Sequence, residues 1–174
     1  MLSIEDFVQD RPTTENIRLT TLNHDAELID GVILRPLSGG SDSRGRLYEF
    51  LTEREDLESE IVHVYQVVCA PGSIRAWQIH KRQFDRLAYT NGSLRVVLYD
   101  LRPESATFRK INEIDVGDLR KCILYIPPFV AHAVQNYGDT DASFVNLPTK
   151  TYDPSDPDKW RVPLDHPGIP YQFR

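Results

Sequence analysis

Short runs of β-branched and aromatic residues, separated by turn signals, constrain this chain more than any other feature. The runs are Val32–Leu34, Leu47–Leu51, Ile61–Val68, Phe84–Tyr89, Leu94–Asp100 and Cys122–Ile126. Between them lie Ser-Gly-Gly-Ser at 38–41, Ala-Pro-Gly at 70–72, Asn91-Gly92 and Tyr137-Gly138-Asp139. Residues of this kind fit a pleated surface, and Gly, Pro and Asn end it. Asn91-Gly92 between two apolar runs predicts a hairpin. No long stretch repeats at the helical period, although Glu53–Ser59 could form one helical turn. Many short strands at near-regular spacing predict an all-β fold, a barrel or jelly roll. The 174 residues suffice for one such unit with a sizeable core. The expected organisation is an N-terminal arm over 1–30 and a single barrel over 31–174. The Pro- and Asp-rich tail after Tyr152 should wrap the barrel or cover its mouth.

Composition narrows the function classes. A formal charge of −6 argues against a nucleic-acid partner. No apolar run approaches the ~20 residues that a membrane span needs. The opening Met1-Leu-Ser-Ile-Glu-Asp has neither a basic start nor an apolar core, so no signal peptide is expected and the cytoplasm is the expected compartment. Cys69 and Cys122 sit in apolar runs and read as buried thiols rather than a disulfide.

From Gly72 to Gly92 the chain is similar to the first cupin motif, G-x5-H-x-H-x4-E-x6-G, at full spacing, with Gln78 at the first His and Asp85 at the Glu. Pro127, Phe129, His132 and Asn136 resemble the second motif, P-x-G-x2-H-x3-N, with Phe129 at the Gly. Further segments resemble the cupin family of dTDP-4-dehydrorhamnose 3,5-epimerase and related dTDP-sugar isomerases. Asp42-Ser-Arg44-Gly45-Arg-Leu-Tyr-Glu49 is similar to D-x-R-G-x-F-x-E, and Gly72-Ser-Ile-Arg75-Ala-Trp-Gln78 to G-x-L-R-G-L-H. Tyr99-Asp100-Leu101-Arg102 with Ser105-Ala-Thr-Phe108 resembles D-x-R…S-P-T-F. Tyr125-Ile-Pro-Pro-Phe-Val-Ala-His132 resembles Y-I-P-x-G-F-A-H, Tyr152-Asp153-Pro154 resembles Y-x-P, and Gly168-Ile-Pro-Tyr171 the closing I-x-W. The resemblance runs from about Gly31 to Tyr171. It implies a cupin-type double-stranded β-helix, a nucleotide-sugar substrate, no required metal, and a homodimer that exchanges N-terminal strands. An open barrel also has strand edges that dimer pairing would cover.

The departures fall on the chemistry. The resemblance implies a His base at position 78, occupied by Gln78, and a Tyr acid at position 146, occupied by Asn146, with Val145 beside it. It also implies a contact pair at His63 and Tyr65. Neutral amides cannot take up a proton at working pH. The retained basic residues suit a diphosphate, which Arg forks and Lys charges bind. Arg44 and Arg75 match family motifs and are expected near the phosphates, with Arg86 and Arg102 as further candidates if all converge on one mouth; solvated surface charges are the bland alternative. Glu49 could accept from a sugar hydroxyl or pair with an Arg. His132 and His80 are the candidates for proton transfer next to a ketone, where one base and a donor to the enolate oxygen are needed. A buried structural His is the alternative for each. Tyr65, Tyr89, Tyr99 and Tyr137 are candidate acids, although aromatics in strands are more often core.

The expected function is a nucleotide-sugar epimerase or isomerase acting on a dTDP-4-keto-6-deoxy sugar, with substrate contacts from Arg44, Glu49, Arg75, Gln78, Arg86 and Asn146 and no cofactor. Two alternatives stand beside it. One is a non-catalytic nucleotide-sugar-binding cupin, which the loss of both acid–base residues favours. The other is a metal-dependent cupin enzyme with His80, Asp85 and His132 on a divalent ion.

Overall fold

A computed structural model describes residues 27–52 and 60–174 of the chain. Among these residues there are twelve strands: β1 Ile33–Pro36, β2 Ser38–Asp42, β3 Gly45–Glu49, β4 Tyr65–Cys69, β5 Ile74–Ile79, β6 Asp85–Asn91, β7 Ser93–Asp100, β8 Ile111–Gly117, β9 Cys122–Ile126, β10 Val130–Asn136, β11 Ala142–Asn146 and β12 Trp160–Arg161. One five-stranded sheet runs β1-β9-β6-β11-β4 and a second runs β12-β5-β10-β7-β8, while β2 and β3 form a separate hairpin. All pairings are antiparallel. The two large sheets pack face to face as the jelly roll that the strand pattern predicts, of the cupin type that the motif resemblance implies. No helix among the described residues is long and apolar enough to cross a membrane. The expected helical turn at Glu53–Ser59 and most of the expected arm lie outside the described residues.

Strand alternation builds the interior. Leu87 and Tyr89 of β6, Val96 and Leu98 of β7, Leu124 and Ile126 of β9, and Val130 and Val134 of β10 share one core between the sheets, each under 7% exposed. Their odd or even partners face the outside of the sheets and need other cover. Trp77, Val97, Tyr99 and Ala131 are covered by the tail, through Ile169, Tyr171 and Phe173. The Trp77 indole donates to the Leu164 carbonyl at 3.2 Å. The tail after Tyr152 therefore wraps the second sheet, and its only strand among the described residues, β12, extends that sheet beside β5.

Three local expectations are corrected. Asn91-Gly92 is not a hairpin: β6 and β7 on either side belong to different sheets. The pair makes a corner between sheets, with Gly92 at φ 77° and an added Cβ there only 2.3 Å from Ala142 Cβ. A turn dipeptide states that the chain reverses, not which strands pair afterwards. Ser-Gly-Gly-Ser at 38–41 is strand β2 rather than a turn. Strands β5, β8, β10 and β11 lie outside the predicted runs, because Arg, Gln, Asn, Glu and His interrupt their apolar positions. Both cysteines are free and buried, as expected. Phe129, at the motif's glycine position, adopts φ 62°, the left-handed conformation that glycine would take without strain. Its amide donates to the His80 carbonyl at 2.8 Å, tying the two motifs together.

Candidate active site

Two adjoining cavities open at one end of the barrel. The inner one, about 430 Å³, is lined from both sheets: Tyr65, Asp85, Leu87, Phe144 and Asn146 on one side, Arg75, Gln78 and His132 on the other, with Lys159 and Arg161 from the tail. The outer one, about 550 Å³, adds His63, His80, Gln83 and several tail residues between Lys150 and Asp158. Tyr65 and Lys159 line both.

Alternation explains which candidates reach this space. His132 sits between inward-facing Val130 and Val134 on β10, so its ring enters the barrel. Gln78 follows outward-facing Trp77 on β5 and faces in. Asp85 and Leu87 face in on β6, so Arg86 between them cannot. Arg86 is fully buried on the opposite face, where its guanidinium donates to the carbonyls of Leu147 and Glu60, the latter at 2.8 Å. Those carbonyls compensate a buried charge, and Arg86 is a structural residue of the outer face rather than a phosphate ligand. Arg102 is held by Asp100, with Nε to Oδ1 at 2.8 Å, and donates to the Asp30 carbonyl at 2.6 Å. Arg44 folds onto Asp42 at 2.6 Å and lines a groove made by its own hairpin, β2–β3, which also carries Glu49. The four arginines thus do not converge. Of them, Arg75 alone lines the inner cavity, and its cationic companions come from the tail.

The centre of the site is a buried group of two imidazoles and a carboxylate. Asp85 Oδ2 lies 3.1 Å from His80 Nε2 and 3.4 Å from His132 Nε2, and Gln83 Nε2 donates to Asp85 Oδ1 at 3.0 Å. Both nitrogens of His80 face acceptors: Nδ1 meets the Asp158 carbonyl and Nε2 meets Asp85. Burial opposes charge on His80, but these acceptors overcome it and raise its pKa. Burial likewise pushes the Asp85 carboxyl up, and the two imidazoles outweigh it and hold it far below the usual carboxylate range. His80 and Asp85 therefore form an imidazolium–carboxylate pair. His132 differs. Its Nδ1 donates to the Val130 carbonyl at 3.1 Å, and its Nε2 accepts from the Gln78 amide at 2.9 Å. In a neutral His132 the lone pair is thereby on Nε2, the nitrogen at the inner cavity, and the Gln78 amide holds it until a substrate proton takes its place.

His80, Asp85 and His132 offer one ligand atom each within 4.8 Å of one another, a set that could also hold a divalent cation. Both Nδ1 atoms already bond backbone carbonyls, the usual arrangement behind a metal-bound imidazole. The same atoms nevertheless satisfy one another without an ion, and a metal would have to displace the His80 Nε2 proton.

The tail completes the rim. The Asp158 carboxylate accepts the backbone N–H groups of Lys81, Arg82 and Gln83 at 2.9, 2.8 and 3.1 Å. That clamp sets the next residues, Lys159 and Arg161, beside Arg75. Burial and the neighbouring Arg161 pull the Lys159 ammonium down. Sequence reasoning did not single out Lys159, Arg161, Asp158 or Gln83. The available signal was the alternation Lys159-Trp160-Arg161, which puts two bases on one face of an extended segment. Asn146 is buried, donates from Nδ2 to the Tyr65 hydroxyl at 2.8 Å, and keeps an unpartnered Oδ1.

The family model of dTDP-4-dehydrorhamnose 3,5-epimerase matches residues 26–171. The chain belongs to that family. It is a nucleotide-sugar epimerase or isomerase, as the motif resemblance implies. Spore coat polysaccharide biosynthesis protein SpsL of Bacillus subtilis strain 168 is 32% identical over 146 residues, 84% of this chain and 97% of that protein. The probable low-salt glycan biosynthesis epimerase Agl13 of Haloferax volcanii is 32% identical over 139 residues, 79% of this chain and 89% of that protein. Among solved structures, a dTDP sugar isomerase from Desulfovibrio desulfuricans G20 superposes with a TM-score of 0.78 at 27% identity, covering 84% of this chain and 94% of that one.

Proposed function

We propose that this family member epimerises or isomerises a dTDP-4-keto-6-deoxy sugar with His132 as the base, in the cytoplasm and as a homodimer. The carrying observation is the fixed tautomer of His132, whose Nε2 faces the cavity between Gln78 and Asp85. A ketone acidifies the neighbouring C–H. His132 Nε2 takes that proton, and Asp85 at 3.4 Å stabilises the imidazolium that forms. The Gln78 amide orients ring and substrate. His80 points both nitrogens at acceptors, which raise its pKa and favour the imidazolium, so its part is to hold Asp85 ionised and in place. Arg75, Lys159 and Arg161 supply the positive rim for the diphosphate, and the unpartnered Asn146 Oδ1 accepts a sugar hydroxyl. Arg44 and Glu49, on their separate hairpin, stand outside this assignment. No cofactor is needed for the proton transfer.

The test is a dTDP-4-keto-6-deoxyhexose incubated with the protein in deuterated water. The wild type gains deuterium at C3 or C5, and His132→Ala slows that gain by ~10² or more. Nucleotide binding without exchange would make the chain a binding protein. Exchange that survives in His132→Ala would put the base elsewhere.

A further inference from the structure

The base acts on one side of the inner cavity, and inversion at carbon needs a proton from the other side. Sequence alone leaves four tyrosines, Tyr65, Tyr89, Tyr99 and Tyr137, as equal candidates for that acid. Tyr89 and Tyr99 are buried in the two cores, at 0% and 5% exposure. Tyr137 lies under Arg95, whose guanidinium is 5.3 Å from the ring centroid. Tyr65 alone of the four lines the cavities, and it lines both.

We infer that Tyr65 is the catalytic acid of this site, positioned by Asn146, and that it protonates the substrate carbon from the sheet opposite His132. This rests on the proposed function. Residues 65 and 146 are direct register partners on β4 and β11. Such partners place their side chains side by side on one face. The Asn146 amide, 2% exposed, donates to the phenol oxygen at 2.8 Å. The phenol thereby has its oxygen anchored and its own proton left for the cavity. β4 belongs to one sheet, and β5 and β10, which carry Gln78 and His132, belong to the other. A sugar ring between the sheets presents one face to each. Burial, and then the Asp85 charge, raise the Tyr65 phenol above its usual value, which keeps it a protonated acid at neutral pH. The Asn146 N–H is in place to stabilise the phenolate when it forms. Tyr65 is 39% exposed, so water can return its proton after each turnover.

The step balances. His132 Nε2 removes a proton from the carbon next to the ketone, and the C–H electrons form the enolate. The enolate carbon then takes the Tyr65 O–H proton on its other face, and the C=O bond re-forms. His132 is left protonated and Tyr65 ionised. One proton passes between them through solvent, with no net redox change.

The deciding experiment uses full-length Tyr65→Phe with a dTDP-4-keto-6-deoxyhexose in deuterated water. It follows deuterium gain by mass and epimer formation by NMR, with dTDP thermal shift as a check on the pocket. Epimer formation should fall by ~10² or more. Deuterium gain should persist, because His132 exchanges its proton with solvent and returns deuterium to the original face. Epimer formation within about threefold of wild type overturns the acid role, as does equal loss of exchange and inversion with dTDP binding intact. A wild type that shows neither exchange nor epimer removes the proposed function and the acid role together. In Asn146→Ala the alkaline limb of the epimerisation profile should move to higher pH, since the donor to the phenolate is gone. An unmoved limb overturns the positioning role of Asn146.

Discussion

Replacing Asp158 by alanine should loosen the tail from the barrel, and the size of the effect follows from three hydrogen bonds. The carboxylate accepts N–H groups from Lys81, Arg82 and Gln83, all between 2.8 and 3.1 Å. A hydrogen bond to a charged group contributes about 1.5–3 kcal/mol when its partner is left unpaired in the interior. Here Lys81 and Arg82 are exposed, though Gln83 is buried, and water can replace the carboxylate at the exposed donors, so about 0.5–1 kcal/mol per bond is the better figure, or roughly 1.5–3 kcal/mol in all. For a chain of this length that corresponds to a fall in Tm of roughly 3–12 °C. Acid should shrink the difference. Burial pushes the Asp158 carboxyl up, but the three N–H groups outweigh it and lower its pKa. A lowered carboxylate contributes stability above its unfolded value of about 3.9, and loses it as pH falls through the native value. Thermal melts of both proteins at pH 7 and near pH 3 check this. A shift within 1 °C at pH 7, or an equal shift at both pH values, would refute the clamp. The same variant should bind dTDP more weakly, because Lys159 and Arg161 follow directly on Asp158.

The His80–Asp85 pair predicts an opposite dependence on pH. His80 has a raised pKa, so its contribution is complete below the unfolded value of about 6.5 and disappears as pH climbs through the native value. The Tm gap between wild type and His80→Gln should therefore be widest in mild acid and narrow toward pH 9; a gap that grows with pH contradicts the pair. Chelation separates the two chemistries available to His80, Asp85 and His132. Dialysis against EDTA should leave deuterium exchange unchanged, whereas loss on chelation and recovery with a divalent cation would mean that a metal organises these residues.

The fold was legible because alternation and turn residues act locally, and the jelly roll followed from many short strands. What stayed hidden was non-local. Asn91-Gly92 has the chemistry of a hairpin, yet the partner of each flanking strand lies tens of residues away, β11 and β9 for β6, β10 and β8 for β7. Site residues divided along the same line. His132, Gln78 and Asp85 were found because motif spacing fixed their strands and faces. Arg86 was misread because its face depends on Asp85 and Leu87 pointing inward, one residue to either side. Arg44 matched a motif, but its hairpin stands apart from both large sheets. Lys159 and Arg161 belong to the site through the Asp158 clamp, a contact between a tail and a loop more than seventy residues apart. Hydrophobic patterning carries no information about such a contact.

The register between β4 and β11 has a bearing on how such sites change over time. Positions 65 and 146 are far apart in the gene but adjacent across one ladder, on the same face. A reactive group can therefore migrate from one to the other by two substitutions, with no backbone rearrangement and with its hydroxyl still inside the same cavity. The strand that gives up the group can keep a small amide there as an anchor, the place Asn146 now fills. In an antiparallel barrel the inheritable unit of catalysis is then a position in space shared by neighbouring strands, and a comparison that follows only one column of sequence would record the loss of a function that has moved one strand sideways.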